Sequence, residues 1–395
     1  MVGDGRDLHH EAKNGDCLVN ENRVLIEPID PRRSKPGGVD TCIRGLIKYR
    51  PDDMDLFIVG VDAVGDAIIG EWRTEMLDGR SVQFLPVYRA DNTVMRPRVP
   101  HIAQLVWGVW KYRKKIKPDT LQTHRITTGF AVRRFFRKPN HVQFIHNDGD
   151  DSIKLGNESY FKKFTGLFRF LEKRAVRECS DVVIFNSAAA KRLSQWGDTV
   201  RFSPTWYDDE YFYPAESSAE SKRTDLLWVG RFEETKDPLL AVRALSEAGP
   251  DYTLTMLGGG SLLQKTKDLA SELGISDRID VVGPVEKRSV SDYLRRHSAL
   301  LMTSHHEGFP RAVVESLACG LPVVTTAGGE PNGLVVEGVN GTRIAERTPA
   351  STADAVRRVN DVASADAIAS VELLKATILV PFVLGRETPA MEELR

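Results

Sequence analysis

Two glutamates eight residues apart frame the stretch best suited to chemistry. Ser304-His305-His306-Glu307-Gly308-Phe309-Pro310-Arg311 runs on to Glu315 and closes with Ala318-Cys319-Gly320-Leu321-Pro322. Glu307 falls in a Gly-Phe-Pro turn, and Glu315 falls one to two turns into a helix that ends at Gly320. Their spacing alone suggests an acid–base pair. Carboxylates also accept hydrogen bonds from vicinal hydroxyls, such as sugars and ribose present. A second loop, Gly230-Arg231-Phe232-Glu233-Glu234-Thr235-Lys236, carries two cations five residues apart. A guanidinium fork and an ammonium point charge can converge there on one anion. Gly258-Gly259-Gly260-Ser261 opens a helix, and Ala327-Gly328-Gly329-Glu330 starts a loop whose amides can nest an anion. Taken together, these loops sketch a diphosphate site with two carboxylates beside it.

The elements that hold these loops read as a parallel α/β unit. Apolar Ala299–Thr303 precedes the Glu307 turn, and apolar Pro322–Thr326 follows the helix. Strand, loop, helix and strand in that order make a crossover, whose ligands sit beyond the carboxyl ends of the strands. The same alternation fills the region. Strands are predicted at Leu226–Val229, Thr253–Leu257, Ile279–Val282, Leu300–Thr303 and Val323–Thr326. Helices are predicted at Pro238–Glu247, Leu262–Leu273, Ser289–His297, Arg311–Cys319 and Pro349–Val359.

An earlier stretch alternates in the same way. Arg23–Glu27, Asp55–Gly60, Val82–Pro86, Thr120–Thr123, Val142–His146 and Asp181–Phe185 read as strands, with helical patterns at Ala103–Lys115 and Tyr160–Cys179. After the first strand, Gly37-Gly38 opens a helix from Val39, where a ligand can approach the backbone and the positive helix end. Residues 1–22 read as a flexible start, 23–203 as a first α/β domain, 204–223 as a linker, 224–362 as a second α/β domain and 363–395 as a helical tail. Within the tail, Ala367–Val383 is apolar with helical spacing.

Length and composition set wider bounds. At 395 residues, 41% hydrophobic and of mean hydropathy -0.29, the chain has the profile of a soluble globular protein of two or three domains. Residues 1–22 lack an apolar leader, and no run of about 18 apolar residues occurs, so a cytoplasmic protein is expected. Four cysteines without CxxC spacing indicate neither a disulfide framework nor a zinc cluster. A formal charge of -1 conceals a basic segment: residues 101–180 hold 17 Lys and Arg against 7 Asp and Glu.

The loops of the second domain resemble those of retaining glycosyltransferases of the GT-B fold, the group 1 or family 4 class. The likeness is carried by Gly230-Arg231 with Lys236, the triple glycine, Glu307-Gly308-Phe309-Pro310 with Glu315, Ala318–Val324, and Gly328-Gly329 followed by Asn340-Gly341. It is specific over 224–346 and weaker in the first domain, through Gly37-Gly38-Val39, His146, Glu172, Ser180-Asp181 and Asn186-Ser187. It implies two Rossmann-like domains facing each other across a cleft, the second binding a nucleotide-diphosphate sugar. Arg231 and Lys236 would hold the diphosphate, Glu307 the donor sugar, and Glu315 the ribose. Amides around Phe309-Pro310-Arg311 and Gly328-Gly329 would touch sugar and phosphates, with Gly258 and Gly308 also in the donor site. Gly37 and Gly38 would approach the diphosphate from the first domain, with His146 near the reacting sugar. Neither metal nor cofactor is implied, and the acceptor class is a saccharide or glycolipid of cell-surface polysaccharide synthesis. An epimerase of the same fold and a non-catalytic nucleotide-sugar-binding protein are the alternatives. The sequence departs from the family at Ser203-Pro204-Thr205-Trp206-Tyr207-Asp208, at Glu330-Pro331-Asn332-Gly333-Leu334, and in the tail, where the helix that crosses back to the first domain has no obvious match.

The remaining motifs carry less. Asp148-Gly149-Asp150 has the form of a manganese motif but lies in the wrong domain for donor phosphates, and reads as a loop. His305 and His306 are adjacent on a strand end and point oppositely. Aromatics and cations mix over Trp107–Lys117 and Arg133–Lys138, and again at Phe161–Phe164. They read either as solvated helix faces or as a peripheral surface for anionic membranes; nothing else supports nucleic acid.

Overall fold

The apolar runs become the parallel strands of two sheets. The computed structural model describes residues 21–33, 38–90, 100–146, 165–215 and 224–386. In chain order the first domain holds β1 (Glu21–Ile26), α1 (Gly38–Lys48), β2 (Met54–Asp62), β3 (Arg73–Leu77), β4 (Arg80–Arg89), α2 (His101–Tyr112) and β5 (Thr120–Thr123). It continues with α3 (Ile126–Val132), β6 (Asn140–Ile145), α4 (Thr165–Glu178), β7 (Asp181–Ile184), α5 (Ser187–Ser194) and β8 (Val200–Phe202). These strands form one sheet in the order β3-β4-β2-β1-β5-β6-β7-β8. Every pairing is parallel except β3 with β4, a hairpin on the edge. Central strands covered on both faces are continuously apolar; Leu25, Ile26, Ile58 and Val59 are fully buried.

The second domain holds β9 (Asp225–Val229), α6 (Pro238–Ala248), β10 (Thr253–Leu257), α7 (Leu263–Glu272), β11 (Ile279–Gly283), α8 (Lys287–Arg296) and β12 (Ala299–Met302). Then come α9 (Arg311–Ala318), β13 (Val323–Thr326), β14 (Gly341–Ile344) and α10 (Pro349–Arg358). Its sheet is β11-β10-β9-β12-β13-β14, all parallel. The sequence fixes helix starts locally. Asp237 caps α6 by accepting from the Leu240 amide, Thr348 caps α10 by accepting from Ser351, and each is followed by proline at the first helical position. Gly320, at φ 80°, ends α9.

The described part of the segment read as a linker is packed. Trp206, Tyr207 and Phe212 are buried in a core shared by both domains. That core joins Cys42, Leu46, Phe144 and Phe185 of the first domain to Leu300, Val313 and Leu317 of the second. Four large apolar side chains in 206–212 outweigh the polar composition around them; residues 216–223 lie outside the described residues.

The tail is not one helix. It forms α11 (Ser364–Ala369), a short turn at Glu372–Leu374, and α12 (Ala376–Val383). Lys375 is extended because it bridges to Tyr207: the Tyr207 amide donates to the Leu374 carbonyl at 3.0 Å and the Ala376 amide to the Tyr207 carbonyl at 2.9 Å. Beyond this break α12 packs against α1. Three arginine contacts tie the end of α12 to the first domain. Arg23 donates to the Leu384 carbonyl at 3.0 Å, Arg201 to the Val383 carbonyl at 2.6 Å, and Arg386 to Asp53 at 2.8 Å. The tail therefore crosses back to the first domain.

Trp206 sits against Gly45, where a Cβ would meet its indole nitrogen at 2.3 Å. Trp206→Ala is expected to lower unfolding stability by about 3–5 kcal/mol, the range for truncating a buried aromatic. Urea unfolding followed by circular dichroism checks this, and an unchanged midpoint contradicts it.

Candidate functional site

The carboxyl ends of both sheets face one another where Gly308 meets His146. A Cβ on Gly308 would lie 2.9 Å from the His146 carbonyl oxygen. The loop after β12 thus touches the loop after β6. Asn332 ties the same junction from the side: its Nδ2 donates to the Gly308 carbonyl at 2.9 Å, and its Oδ1 accepts from the Ser187 amide and hydroxyl at 3.1 Å. Phe309 lies beside Phe202, ring centres 6.3 Å apart. Arg311 reaches into the junction as well, donating to Thr205 at 3.0 Å with its guanidinium 5.9 Å from the Trp206 ring centre. Arg311 also lies 3.9 Å from Glu315, which is buried on α9.

Charge concentrates on the other side of Gly308. Lys236 is ion-paired with Glu307, and Ser304 donates to the same carboxylate at 2.8 Å. The Glu307 amide donates to the Gly328 carbonyl at 2.9 Å, which sets the two loops side by side. Arg231 is exposed; its carbonyl accepts from the Glu233 amide at 2.8 Å, while no hydrogen bond or ion pair holds its guanidinium among the described residues. The glycines are needed where loops cross. A Cβ on Gly258 would lie 1.9 Å from the Gly230 carbonyl, and one on Gly328 would lie 1.9 Å from the His305 carbonyl. Glu233 binds Ser261 through its amide at 3.0 Å and its hydroxyl at 2.7 Å, joining the loop after β9 to the loop after β10. These hydrogen bonds hold the Glu233 carboxyl below its ordinary pKa. Gly38 begins α1 with open space where a Cβ would stand; Gly37, like Asp148-Gly149-Asp150 and Phe161–Phe164, lies outside the described residues.

Some members of the site were not legible in sequence. Arg347 binds Asp237 at 2.5 Å and the carbonyls of Thr303 and Ser304 at 3.0 Å, bracing the strand end that precedes Glu307. Asp237 itself is left-handed, at φ 47°. His124 stands behind His146, and their facing nitrogens are 2.8 Å apart. A relay assigns the proton. Arg23 can only donate, so Gln122 turns its carbonyl to Arg23 (3.2 Å) and its amide nitrogen to His124 Nε2 (2.8 Å). His124 then donates from Nδ1 to His146 Nε2, and His146 carries its own proton on Nδ1. Burial pushes both imidazoles down: His124 goes well below the ordinary range and His146 to about 3, with Arg311 and Arg125 adding to the His146 shift. The fold also brings Cys42 Sγ within 4.8 Å of a nitrogen of each histidine, a grouping that sequence spacing did not show. The two histidines already share a hydrogen bond, and burial raises the Cys42 thiol to about 12.

The basic segment divides. Trp107 and Trp110 are exposed, with Lys111 and Arg113 over their rings. Arg133 is buried against Cys179 and Glu178, and Phe136 is in the core. Arg133–Lys138 is thus partly structural, and only Arg134, Arg137 and Lys138 of its charges face out.

Two Rossmann-like sheets with facing carboxyl ends and a tail that returns define the GT-B architecture. Solved structures agree in fold. Sucrose-phosphate synthase from Thermosynechococcus elongatus superposes with TM-score 0.76 at 17% identity, covering 93% of this chain and 98% of that one. HepE of Anabaena, solved with UDP and glucose, gives 0.68 at 16% identity, covering 92% and 98%. The second domain narrows the likeness: residues 210–364 match the model for glycosyl transferases group 1. Curated relatives include the D-inositol 3-phosphate glycosyltransferases of Xylanimonas cellulosilytica, 31% identical over 174 residues (40% of this chain, 42% of that protein), and Geodermatophilus obscurus, 28% identical over 211 residues (48% and 47%). The chain thus spans under half the length of these relatives.

The depressed histidines make a pH prediction. Above about pH 6.5 the imidazole is neutral whether folded or unfolded. As pH falls toward 3 the unfolded chain binds protons that the folded pair refuses, so stability is lost. His146→Gln removes one such group. Its unfolding free energy is expected to gain on that of wild type by up to about 1.4 kcal/mol per pH unit below pH 6.5, and to run parallel above pH 7. A pH-independent difference would show that His146 titrates normally.

Proposed function

We propose that this chain is a glycosyltransferase that moves a sugar, with retention, from a UDP- or GDP-type donor to a saccharide or glycolipid acceptor. The Lys236–Glu307 pair, whose lysine shares a loop with exposed Arg231 and whose glutamate precedes Gly308 at the His146 carbonyl, carries the reading. Without donor, Glu307 occupies the ammonium of Lys236. A diphosphate entering the loops takes Lys236 and Arg231, which frees Glu307 to accept from the sugar's hydroxyls. Arg231 and Lys236 then supply the positive charge that a departing diphosphate needs, and the reading assigns no metal. The acceptor oxygen bonds to the anomeric carbon as the carbon–phosphate-oxygen bond breaks. The bond's electrons and the acceptor proton both pass to the diphosphate. His146, neutral and protonated on Nδ1, donates toward the sugar. Glu315 takes the ribose hydroxyls, and the loops carrying Gly258, Phe309-Pro310 and Gly328-Gly329 line the phosphates and sugar. The matched relatives named as glycosyltransferases and the UDP-bound HepE structure support this choice of class.

The same reading places the enzyme in the cytoplasm, touching anionic membrane through α2. Exposed Trp107 and Trp110 with their stacked cations are its support. Among the described residues no helix is long and apolar enough to cross a membrane.

Glu307→Ala is expected to reduce nucleotide release from UDP-glucose or GDP-mannose at least about 100-fold, while UDP or GDP affinity changes less than about tenfold. Product chromatography and calorimetry check this. Isomerised sugar nucleotide would favour the epimerase, and unchanged turnover would remove Glu307 from the site. Separately, Trp107→Ser with Trp110→Ser is expected to abolish co-sedimentation with phosphatidylglycerol vesicles; a wild-type protein that never sediments with them contradicts the membrane contact.

A further inference from the structure

A cavity of about 560 Å³ opens at the carboxyl ends of β1, β2 and β4. Its wall includes Glu27, Gly38, Tyr88, His101, Ile102 and Arg125. Gly38 joins it to the start of α1, and Arg125 follows His124, the partner of His146. One dipeptide therefore faces the reacting centre through its histidine and this cavity through its arginine.

The arrangement of Arg125 is specific. Its Nε donates to Glu27 Oε1 at 2.6 Å. Glu27 is fully buried, and its other oxygen has no hydrogen-bond partner among the described residues. Burial raises the Glu27 pKa, opposed by Arg125. A carboxylate kept in such a place costs desolvation energy, and its visible effect is to hold the guanidinium by one edge. The rest of the guanidinium is half exposed, with no hydrogen bond to its terminal nitrogens among the described residues. A fork fixed at Nε with its two terminal nitrogens open matches a planar or tetrahedral oxyanion. The neighbours suit the same ligand. Tyr88 and His101 stand 3.3 Å apart on the cavity wall, and the first turn of the 11-residue α1, the positive end of its dipole, lines the same wall. Asp40 does not oppose an anion, being buried and paired with Arg44 at 2.9 Å. Ile29, Val39, Val61 and Ile102 supply apolar surface for a ring.

We propose that this cavity is the acceptor subsite and takes an anionic saccharide, its phosphate or carboxylate bound by the terminal nitrogens of Arg125. The proposal rests on the glycosyltransferase reading for the word acceptor; the binding itself does not need the donor. Glu27 is a positioning residue that acts through Arg125.

The test titrates the full-length protein, with and without saturating UDP, against glucose 6-phosphate, glucuronate and glucose, followed by saturation-transfer NMR and calorimetry. At least one of the two anionic sugars is expected to bind about tenfold or more tighter than glucose, and which one binds separates phosphate from carboxylate. Arg125→Gln is expected to remove that preference and leave UDP affinity unchanged. Ile102→Trp, which fills the cavity without touching the ion pair, is expected to weaken all three sugars and again spare UDP. Retained UDP binding shows that each variant is folded. Equal binding of glucose and both anionic sugars, or a preference that survives Arg125→Gln, overturns the proposal. Sugar binding with this Arg125 dependence but no UDP or GDP binding upholds the anion site and removes the donor reading instead.

Discussion

Trp206 is the contact on which the two halves depend. Its indole lies on Gly45 of α1, its ring meets Phe185 edge-on with centres 6.1 Å apart, and Arg311 of the second domain lies over it. Phe185 in turn stacks on His146, 5.0 Å between ring centres. A single buried side chain from the connecting segment thus sets α1, the strand end behind His146 and the start of α9 at fixed distances. The cleft is held by apolar packing, while the polar groups on either side remain available for ligand.

The electrostatics follow a similar economy. In the second domain, Lys236 and Glu307 neutralise one another beside an unattached Arg231, so the loops carry no large unpaired buried charge. In the first domain, a donor-only residue, Arg23, orders Gln122, His124 and His146 in sequence, so a proton on His146 is placed by a group three side chains away. Buried polar chains of this sort hold together only when every member is satisfied. The neutrality of both imidazoles is part of that satisfaction.

How much of this was visible in the sequence depends on the physics of each part. Parallel strands buried on both faces are apolar runs closed by Gly or Pro, and β9, β10, β12 and β13 were read almost to the residue. The loops that carry Arg231, Lys236, Glu307 and Gly328-Gly329 were placed at strand ends too, because an apolar run stands before each in the sequence. The misses have causes. Arg73–Leu77 opens with charged and polar residues and has no long apolar run, and as an edge strand in a hairpin it needs none. Gly341–Ile344 begins with glycine and carries Arg343, yet pairs with β13 because the sheet offers a free edge. Arg347, Asp237, His124 and Cys42 joined the site or its backing through tertiary contacts, which no local spacing encodes. The tail's helical periodicity was real, but a backbone bridge to Tyr207 cut it at Lys375. Composition says little about the packing of 204–215, where four aromatic side chains in 206–212 join the shared core.

The returning tail has a consequence for how the chain assembles. Arg23 sits in the first strand, and its partner carbonyl at Leu384 is 361 residues away. Arg201 and Asp53 wait on the same short segment. During synthesis the first sheet emerges long before α12 does, so it must persist with an apolar flank on α1 uncovered and three polar groups served by water. Its completion is a late, non-local docking event rather than part of its own folding. A nascent first domain is therefore a sticky object, and the interval before α12 arrives is when this chain is most exposed to association with other copies of itself.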